Sequence, residues 1–328
     1  MATILSKPVQ RGRGTPPPLP GSVAAGGKGI SRLLSIDELE RFKNLLLFAQ
    51  AAVDGFFAGK HRSSHQGASA EFRDYKSYVP GDPVERLDWR AYGRARRLFI
   101  RRYEDETDMV AYLLVDTSGS MRYAGAKRLS KFQHSARIAA ALAYLMLRQG
   151  DKTALGLCGT KLKTYISPGG TRRHLHEMLT ALEAARPSSN TGLADALHES
   201  AAVFKKRGRL ILLSDFLVKE PAALFDALSQ FRHRDFGVLL LQVLDPDELD
   251  LPGLSVAKFV DMETGEEVEV DAEELRAGYR KKVREAIDAL AREADARQIE
   301  YRLVNTGEPY TAAIEAYLGF RGRNKNRR

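Results

Sequence analysis

With one cysteine in 328 residues, Cys158, the chain has no material for a disulfide framework or a cysteine-based zinc site. Cys158 ends the strand-like run Thr153-Ala154-Leu155-Gly156-Leu157-Cys158, where a small buried thiol is the ordinary expectation. The first residues carry Lys7, Arg11 and Arg13 but no continuous apolar segment, so no signal peptide is read there. No run approaches the roughly 20 apolar residues that span a bilayer. These absences predict a soluble, cytoplasmic protein. Enzyme motifs are equally scarce. No Gly-x-x-x-x-Gly-Lys loop is present to cradle phosphate, and no Gly-x-Ser-x-Gly elbow to present a serine nucleophile. The seven histidines are scattered. His174 and His176 stand two apart on a predicted helix, where they do not share a face, so they make a poor zinc pair. No motif places a catalytic base, and a non-enzymatic protein is expected.

What is present begins with charge. The formal net charge of +9 is unevenly spread. Residues 60 to 102 hold eleven Lys or Arg against five Asp or Glu, and residues 321 to 328 add five more positive charges. Against these, Asp245, Asp247, Glu248 and Asp250, then Glu263, Glu266, Glu267 and Glu269, read as an acidic tract. Segregated charge of both signs favours contacts with other proteins over generic affinity for nucleic acid.

The chain can bury one large core and a smaller module. Residues 1–33, rich in Pro, Gly and basic side chains, are predicted to be a disordered tail. Residues 34–108 are read as an N-terminal helix and a small β-rich module. The helix opens at the capping-box pattern Ser35-Ile36-Asp37-Glu38 and runs to about Phe57, with Leu39, Phe42, Leu46, Ala49 and Val53 along one side. Pro80-Gly81-Asp82 marks a turn, and Leu98 to Ile100 fit a strand. Residues 109–320 alternate buried-strand runs with helical periodicity, which predicts a doubly wound, mostly parallel α/β sheet. Residues 256 to 270 read as a hairpin, Asp271-Ala272-Glu273-Glu274 caps a long charged helix, and 321–328 form a basic tail.

The most informative segment follows the apolar run Met109 to Val115. It reads Asp116-Thr117-Ser118-Gly119-Ser120. A strand that delivers one carboxylate and two closely spaced hydroxyls to its carboxyl end supplies oxygen-only ligands, which suit a hard cation such as Mg²⁺. Two later segments can complete the site. Thr191 lies in a polar loop just before a predicted helix, and Asp215 ends the buried run Leu210-Ile211-Leu212-Leu213-Ser214. In an open parallel sheet Asp116 and Asp215 meet at one edge. An aspartyl-phosphate chemistry wants a second carboxylate two residues after the first, where Ser118 stands.

This combination resembles the metal-ion-dependent adhesion site of von Willebrand factor A domains. Carried over by position, the resemblance implies Ser118, Ser120 and Thr191 as ligands, with Asp116 and Asp215 holding waters or the ion. It further implies a free coordination position for a Glu or Asp of a partner protein. Upstream, Glu71-Phe72, Tyr78-Val79-Pro80-Gly81-Asp82, Arg86-Leu87-Asp88-Trp89, an Arg-rich segment and Tyr103-Glu104-Asp105-Glu106-Thr107 precede Asp116. That signature resembles the family known as domain of unknown function fifty-eight, whose members carry a von Willebrand A-like domain behind it. The resemblance implies a MoxR-type AAA+ ATPase as partner, with the chain acting as its adaptor or co-chaperone on a client protein.

The expected function is thus a metal-dependent protein-binding adaptor, with Mg²⁺ at Asp116, Ser118, Ser120, Thr191 and Asp215 and Mn²⁺ or Ca²⁺ as substitutes. Arg94, Arg96 and Arg97 are candidate contacts to acidic groups of the ATPase. The alternative is a nucleic-acid-binding protein acting through residues 60–102 and the C-terminal tail, with salt-sensitive affinity. A metal-dependent hydrolase ranks last, for want of a base or nucleophile.

Overall fold

Apolar runs without alternation call for strands covered on both faces, and Val110–Asp116 and Gly208–Ser214 are buried at every position. The computed structural model describes residues 44–60, 75–77, 99–101, 110–187, 192–251, 256–260 and 267–325. In chain order the elements are α1 (Leu45–Lys60), β1 (Tyr75–Ser77), β2 (Phe99–Arg101) and β3 (Val110–Asp116). A short 3₁₀ turn (Gly119–Arg122) leads to α2 (Lys131–Arg148), β4 (Lys152–Cys158), β5 (Leu162–Gly169), α3 (Arg172–Ala184) and α4 (Leu193–Val203). There follow β6 (Gly208–Ser214), α5 (Pro221–His233), β7 (Gly237–Leu244) and the short α6 (Pro246–Leu249). Strands β8 (Val256–Val260) and β9 (Glu267–Asp271), helix α7 (Ala272–Ala296), β10 (Glu300–Asn305) and α8 (Thr311–Lys325) complete the order.

The six-stranded sheet runs β10-β7-β6-β3-β4-β5. Strand β5 alone is antiparallel to its neighbour. This is the doubly wound, mostly parallel α/β fold expected from the alternating pattern. Side-chain alternation along β3 divides the interior in two. Ala111, Leu113 and Val115 face a core shared with α1, α2, α3 and α8. Val110, Tyr112 and Leu114 face a second core with α4, α5 and the end of α7. Tyr112 stacks on Phe204 at 4.2 Å between ring centres in that second layer. The hairpin expected near 256–270 is the antiparallel pair β8–β9, and β1 pairs antiparallel with β2.

Three details differ from expectation. The capping pattern Ser35 to Glu38 lies outside the described residues, and the described helix α1 begins at Leu45, where Asn44 Oδ1 accepts from the Leu46 N–H at 2.8 Å. That helix buries Phe48, Ala49, Ala52, Val53 and Phe56 in the first core of the α/β sheet. The expected boundary at 108 therefore does not separate α1 from the α/β domain, because its apolar face packs on helices α2 and α3. At the other end, residues 321–325 belong to α8 rather than to a basic tail. Arg321 pairs with Asp151 at 3.2 Å and Arg323 with Glu300, so these charges are already engaged. Finally, Asp245 and Glu248 of the expected acidic tract are buried, at 0% and 6% exposure. Among the described residues no helix is long and apolar enough to cross a membrane.

Candidate metal centre

Adjacent parallel strands end at the same edge, and β3 pairs with β6 in the register Val115 to Leu213. Asp116 and Asp215 are thereby delivered side by side. Asp116, Ser118, Ser120 and Asp215 are all buried. The loop after β3 is held from both sides. Thr117 turns away and donates from its N–H and its hydroxyl to the Cys158 carbonyl, at 2.6 and 2.7 Å, fastening the loop to β4. Asp116 Oδ1 accepts from the Ser118 N–H at 2.7 Å, and Oδ2 accepts from the Ser214 hydroxyl at 2.6 Å.

The same contacts leave the two serine hydroxyls facing each other, with Ser118 Oγ and Ser120 Oγ 3.1 Å apart. Ser118 occupies the N-cap position of the 3₁₀ turn, yet its side chain makes no capping hydrogen bond. Its hydroxyl is thus not consumed by helix capping, the usual alternative role for serine at a helix start.

Asp215 is placed by a strained turn. Phe216 sits in the left-handed region at φ 54°, a conformation that costs a non-glycine residue about 1–2 kcal/mol and that concentrates at functional sites. The turn is closed by the Phe216 N–H donating to Ser214 Oγ and the Leu217 N–H to Asp215 Oδ1, at 3.0 and 3.1 Å.

A lysine that the sequence reading passed over completes the arrangement. Lys131, the first helical residue after the capping Ser130, is fully buried. Its ammonium donates to Asp215 Oδ2 at 2.7 Å and to Glu248 Oε1 at 2.6 Å. Burial alone would lower the Lys131 ammonium, but Asp215 and Glu248 outweigh it and hold it above its ordinary value. Glu248 reaches back to the Asp245 N–H through Oε2 at 2.9 Å, a capping box over α6. Tyr279 of α7 donates to the Glu248 carbonyl at 2.8 Å. Asp245 in turn accepts from Arg128 at 3.0 and 2.7 Å and from Thr306 at 2.9 Å.

These residues fit a small divalent cation. Neighbouring ligands of an octahedral Mg²⁺ with bonds of about 2.1 Å stand roughly 3 Å apart, the spacing of the Ser118 and Ser120 hydroxyls. Burial and then the neighbouring Asp215 push the Asp116 carboxyl up to about 6. A cation at this edge would oppose the second of these causes. Among the described residues no cluster of three or more His, Cys, Asp or Glu side chains could hold a metal by itself, so serine hydroxyls would have to contribute.

Four of the five expected site residues thus come together. Thr191 lies outside the described residues, as do Arg94, Arg96 and Arg97. Gly192, which follows Thr191, packs on the β4–β5 turn so closely that a Cβ there would lie 2.6 Å from Thr160 Cα. The start of α4 is accordingly at the same sheet edge. Two signals in the sequence point to the residues that were missed. A lysine in the first turn of a helix opposes the helix dipole unless acids surround it, and Asp245-Pro246-Asp247-Glu248 is a capping box.

Over 227 residues the chain is 27% identical to the uncharacterized proteins Mb1516 of Mycobacterium bovis and Rv1480 of Mycobacterium tuberculosis. The match covers 68% of this chain and 70% of each relative. Similar solved structures include the conserved hypothetical protein BatB from Bacteroides thetaiotaomicron, with a TM-score of 0.46 at 15% identity. That likeness covers 65% of this chain and 99% of BatB. The SpRpn10 VWA domain is similar with a TM-score of 0.37 at 9% identity, over 63% of this chain and 93% of that domain. The signature around Asp82, Trp89 and Asp116 has its counterpart in a match over residues 74–289, more than half of the sequence, and the chain belongs to the family described as "Protein of unknown function DUF58".

Proposed function

We propose that this chain is a non-enzymatic, metal-dependent adaptor that captures a partner carboxylate at the sheet edge formed by Asp116 and Asp215. Mg²⁺ is the proposed resident ion, with Mn²⁺ or Ca²⁺ as substitutes, and the proposed setting is the cytoplasm. The observation that carries this reading is the pair of Ser118 and Ser120 hydroxyls, buried and 3.1 Å apart beside the Asp116 carboxylate. The bound ion would supply an electrophilic position for an outside oxygen ligand. The chain's own part is to hold neutral hydroxyls toward that position while its carboxylates remain tied to Ser118, Ser214, Leu217 and Lys131. Neutral ligands preserve the attraction for an acid, and the Thr191 hydroxyl is proposed to join them.

The proposed partner is a MoxR-type AAA+ ATPase together with a client it remodels, a reading supported by membership of the family and by the signature that resembles it. Arg94, Arg96 and Arg97 are proposed to meet acidic groups of that ATPase. The test is affinity capture of the tagged chain from its own cell extract, in Mg²⁺ and in EDTA, alongside Asp116→Ala. An ATPase retained in Mg²⁺ and lost both in EDTA and with Asp116→Ala is the expected result. Retention under all three conditions overturns the metal-dependent mechanism. Recovery of nucleic acid without an ATPase favours the alternative binding through residues 60–102.

A further inference from the structure

The buried lysine raises a question of charge. Asp116, Asp215 and Glu248 would carry three negative charges at the end of the sheet, and Lys131 supplies one positive charge among them. Asp245 and Asp247 do not enter the count: Arg128 pairs with both at 2.7 Å, and Asp247, with 18% of its side chain exposed, keeps contact with solvent. Two negative charges therefore remain, the number that one divalent cation cancels. Without Lys131, the loaded site would keep a net negative charge and repel the acid it is proposed to receive.

Geometry supports a role for the lysine as a fixed counter-ion. Its stem starts at the first helical position of α2, where Ser130 and Gln133 form a reciprocal cap. Its own N–H donates to the Tyr123 carbonyl at 2.9 Å. The ammonium is thus anchored at both ends of the side chain, and two carboxylates, at 2.7 and 2.6 Å, take its charge. An ammonium donates three hydrogen bonds and accepts none, so it cannot serve as a ligand and acts on the ion only through its field. Glu248 is the second carboxylate on the ammonium and restores the negative charge that Lys131 removes. A buried lysine with a single carboxylate partner would leave the site one charge poorer.

We infer that Lys131 and Glu248 are positioning residues that set the charge of the Asp116 site to match a divalent cation and keep the loaded site open to an acidic ligand. This inference rests on the metal-binding reading above. It assigns a role to residues outside the set of metal ligands, and it makes the balance of the pair, rather than either member, the determinant of affinity.

The experiment compares Mg²⁺ binding by calorimetry in the full chain, in Glu248→Gln and in the double variant Lys131→Met/Glu248→Gln, with folding followed by circular dichroism. Glu248→Gln keeps the shape but removes one negative charge, and Mg²⁺ binding is expected to weaken by about tenfold or more, as one nearby charge dictates in a poorly screened site. The double variant removes one charge of each sign and is expected to recover affinity to within about threefold of the unmodified chain. Equal affinity in all three proteins overturns the charge-matching role while leaving the metal site intact. A double variant that folds but binds as weakly as Glu248→Gln also overturns it, because the pair would then act through contacts rather than charge. If Glu248→Gln fails to fold, Lys131→Met decides instead: it adds one negative charge and is expected to bind Mg²⁺ about tenfold or more tightly, and unchanged or weaker affinity overturns the role. Absence of Mg²⁺ binding in the unmodified chain is a different failure, which removes the metal-binding reading itself and this inference with it.

Discussion

The Ser214 hydroxyl donates a 2.6 Å hydrogen bond to Asp116 Oδ2, linking the ends of two neighbouring strands that lie 98 residues apart in sequence. The same oxygen accepts from the Phe216 N–H at 3.0 Å, so one small side chain holds both the carboxylate and the left-handed turn. Ser214→Ala leaves a buried carboxylate and a buried N–H each short of a partner, and is expected to lower the unfolding free energy by about 1–3 kcal/mol. Urea unfolding monitored by circular dichroism measures the change.

Arg128 and Asp245 form the second expectation. The guanidinium grips Asp245 through Nε and Nη2 and also meets Asp247 at 2.7 Å. Breaking a buried ion pair costs roughly 3–5 kcal/mol. Arg128 is 28% exposed, and solvent screening reduces the expected cost of Arg128→Ala to about 2 kcal/mol. Burial pushes the Asp245 carboxyl up, but Arg128 and the N–H groups of Asp247 and Gly125 outweigh it and hold it below its ordinary value. Its contribution is present above the ordinary carboxylate range and is lost as pH falls through the lower folded value. In Arg128→Ala the loss of stability in strong acid should therefore be shallower, as thermal melts across that range would record.

His134 predicts a different acid limb. Its ring stacks on Tyr310 at 4.4 Å between centres, and its Nε2 has no hydrogen-bond partner among the described residues. Burial and then the Arg137 charge hold the imidazole down to about 3, against an ordinary 6.5. As pH falls below 6.5 the unfolded chain takes up this proton before the folded one, so stability drops between about 6.5 and 3. Asp116, raised to about 6, acts in the opposite direction over an overlapping interval. His134→Phe keeps the aromatic stack and removes only the first contribution. The melting temperature of the unmodified chain should fall relative to that of His134→Phe as pH drops from 7 toward about 4, and a constant difference would falsify the assignment.

Cys158 is fully buried, and its thiol donates to the Val115 carbonyl at 3.6 Å. Burial and then the Asp116 charge push the thiol well above its ordinary value, which suppresses the reactive thiolate. A chromogenic disulfide reagent should leave the native protein unmodified and react with one equivalent of thiol in denaturant. Rapid labelling under native conditions would mean that the centre of the sheet opens locally.

How much of this was legible in the sequence depends on the range of the interactions. The strands β3 and β6 announced themselves through unbroken apolar runs, because burial on both faces removes the alternation that a half-exposed strand shows. Asp116, Ser118 and Ser120 were legible because a local turn brings them together. Lys131 finds its partners 84 and 117 residues away, and no local pattern reports such a pairing. The acidic residues around 245–250 were read as a charged surface because burial of Asp245 and Glu248 depends on Arg128 and Lys131, which arrive from another part of the fold. Helix α1 was assigned the correct apolar side at Ala49 and Val53, but its partner surface on helices α2 and α3 was set by tertiary packing. The predicted roles of Thr191 and of Arg94, Arg96 and Arg97 fall outside the described residues.

Strand β3 lies between β4 and β6 and runs parallel to both. The loop from Ser118 to Ser120 follows its carboxyl end and is pinned to β4 through Thr117. Tension on that loop would load the hydrogen bonds to both neighbours in shear, so that they must fail together rather than one after another. The centre of the sheet thus makes this edge a mechanically stiff anchorage.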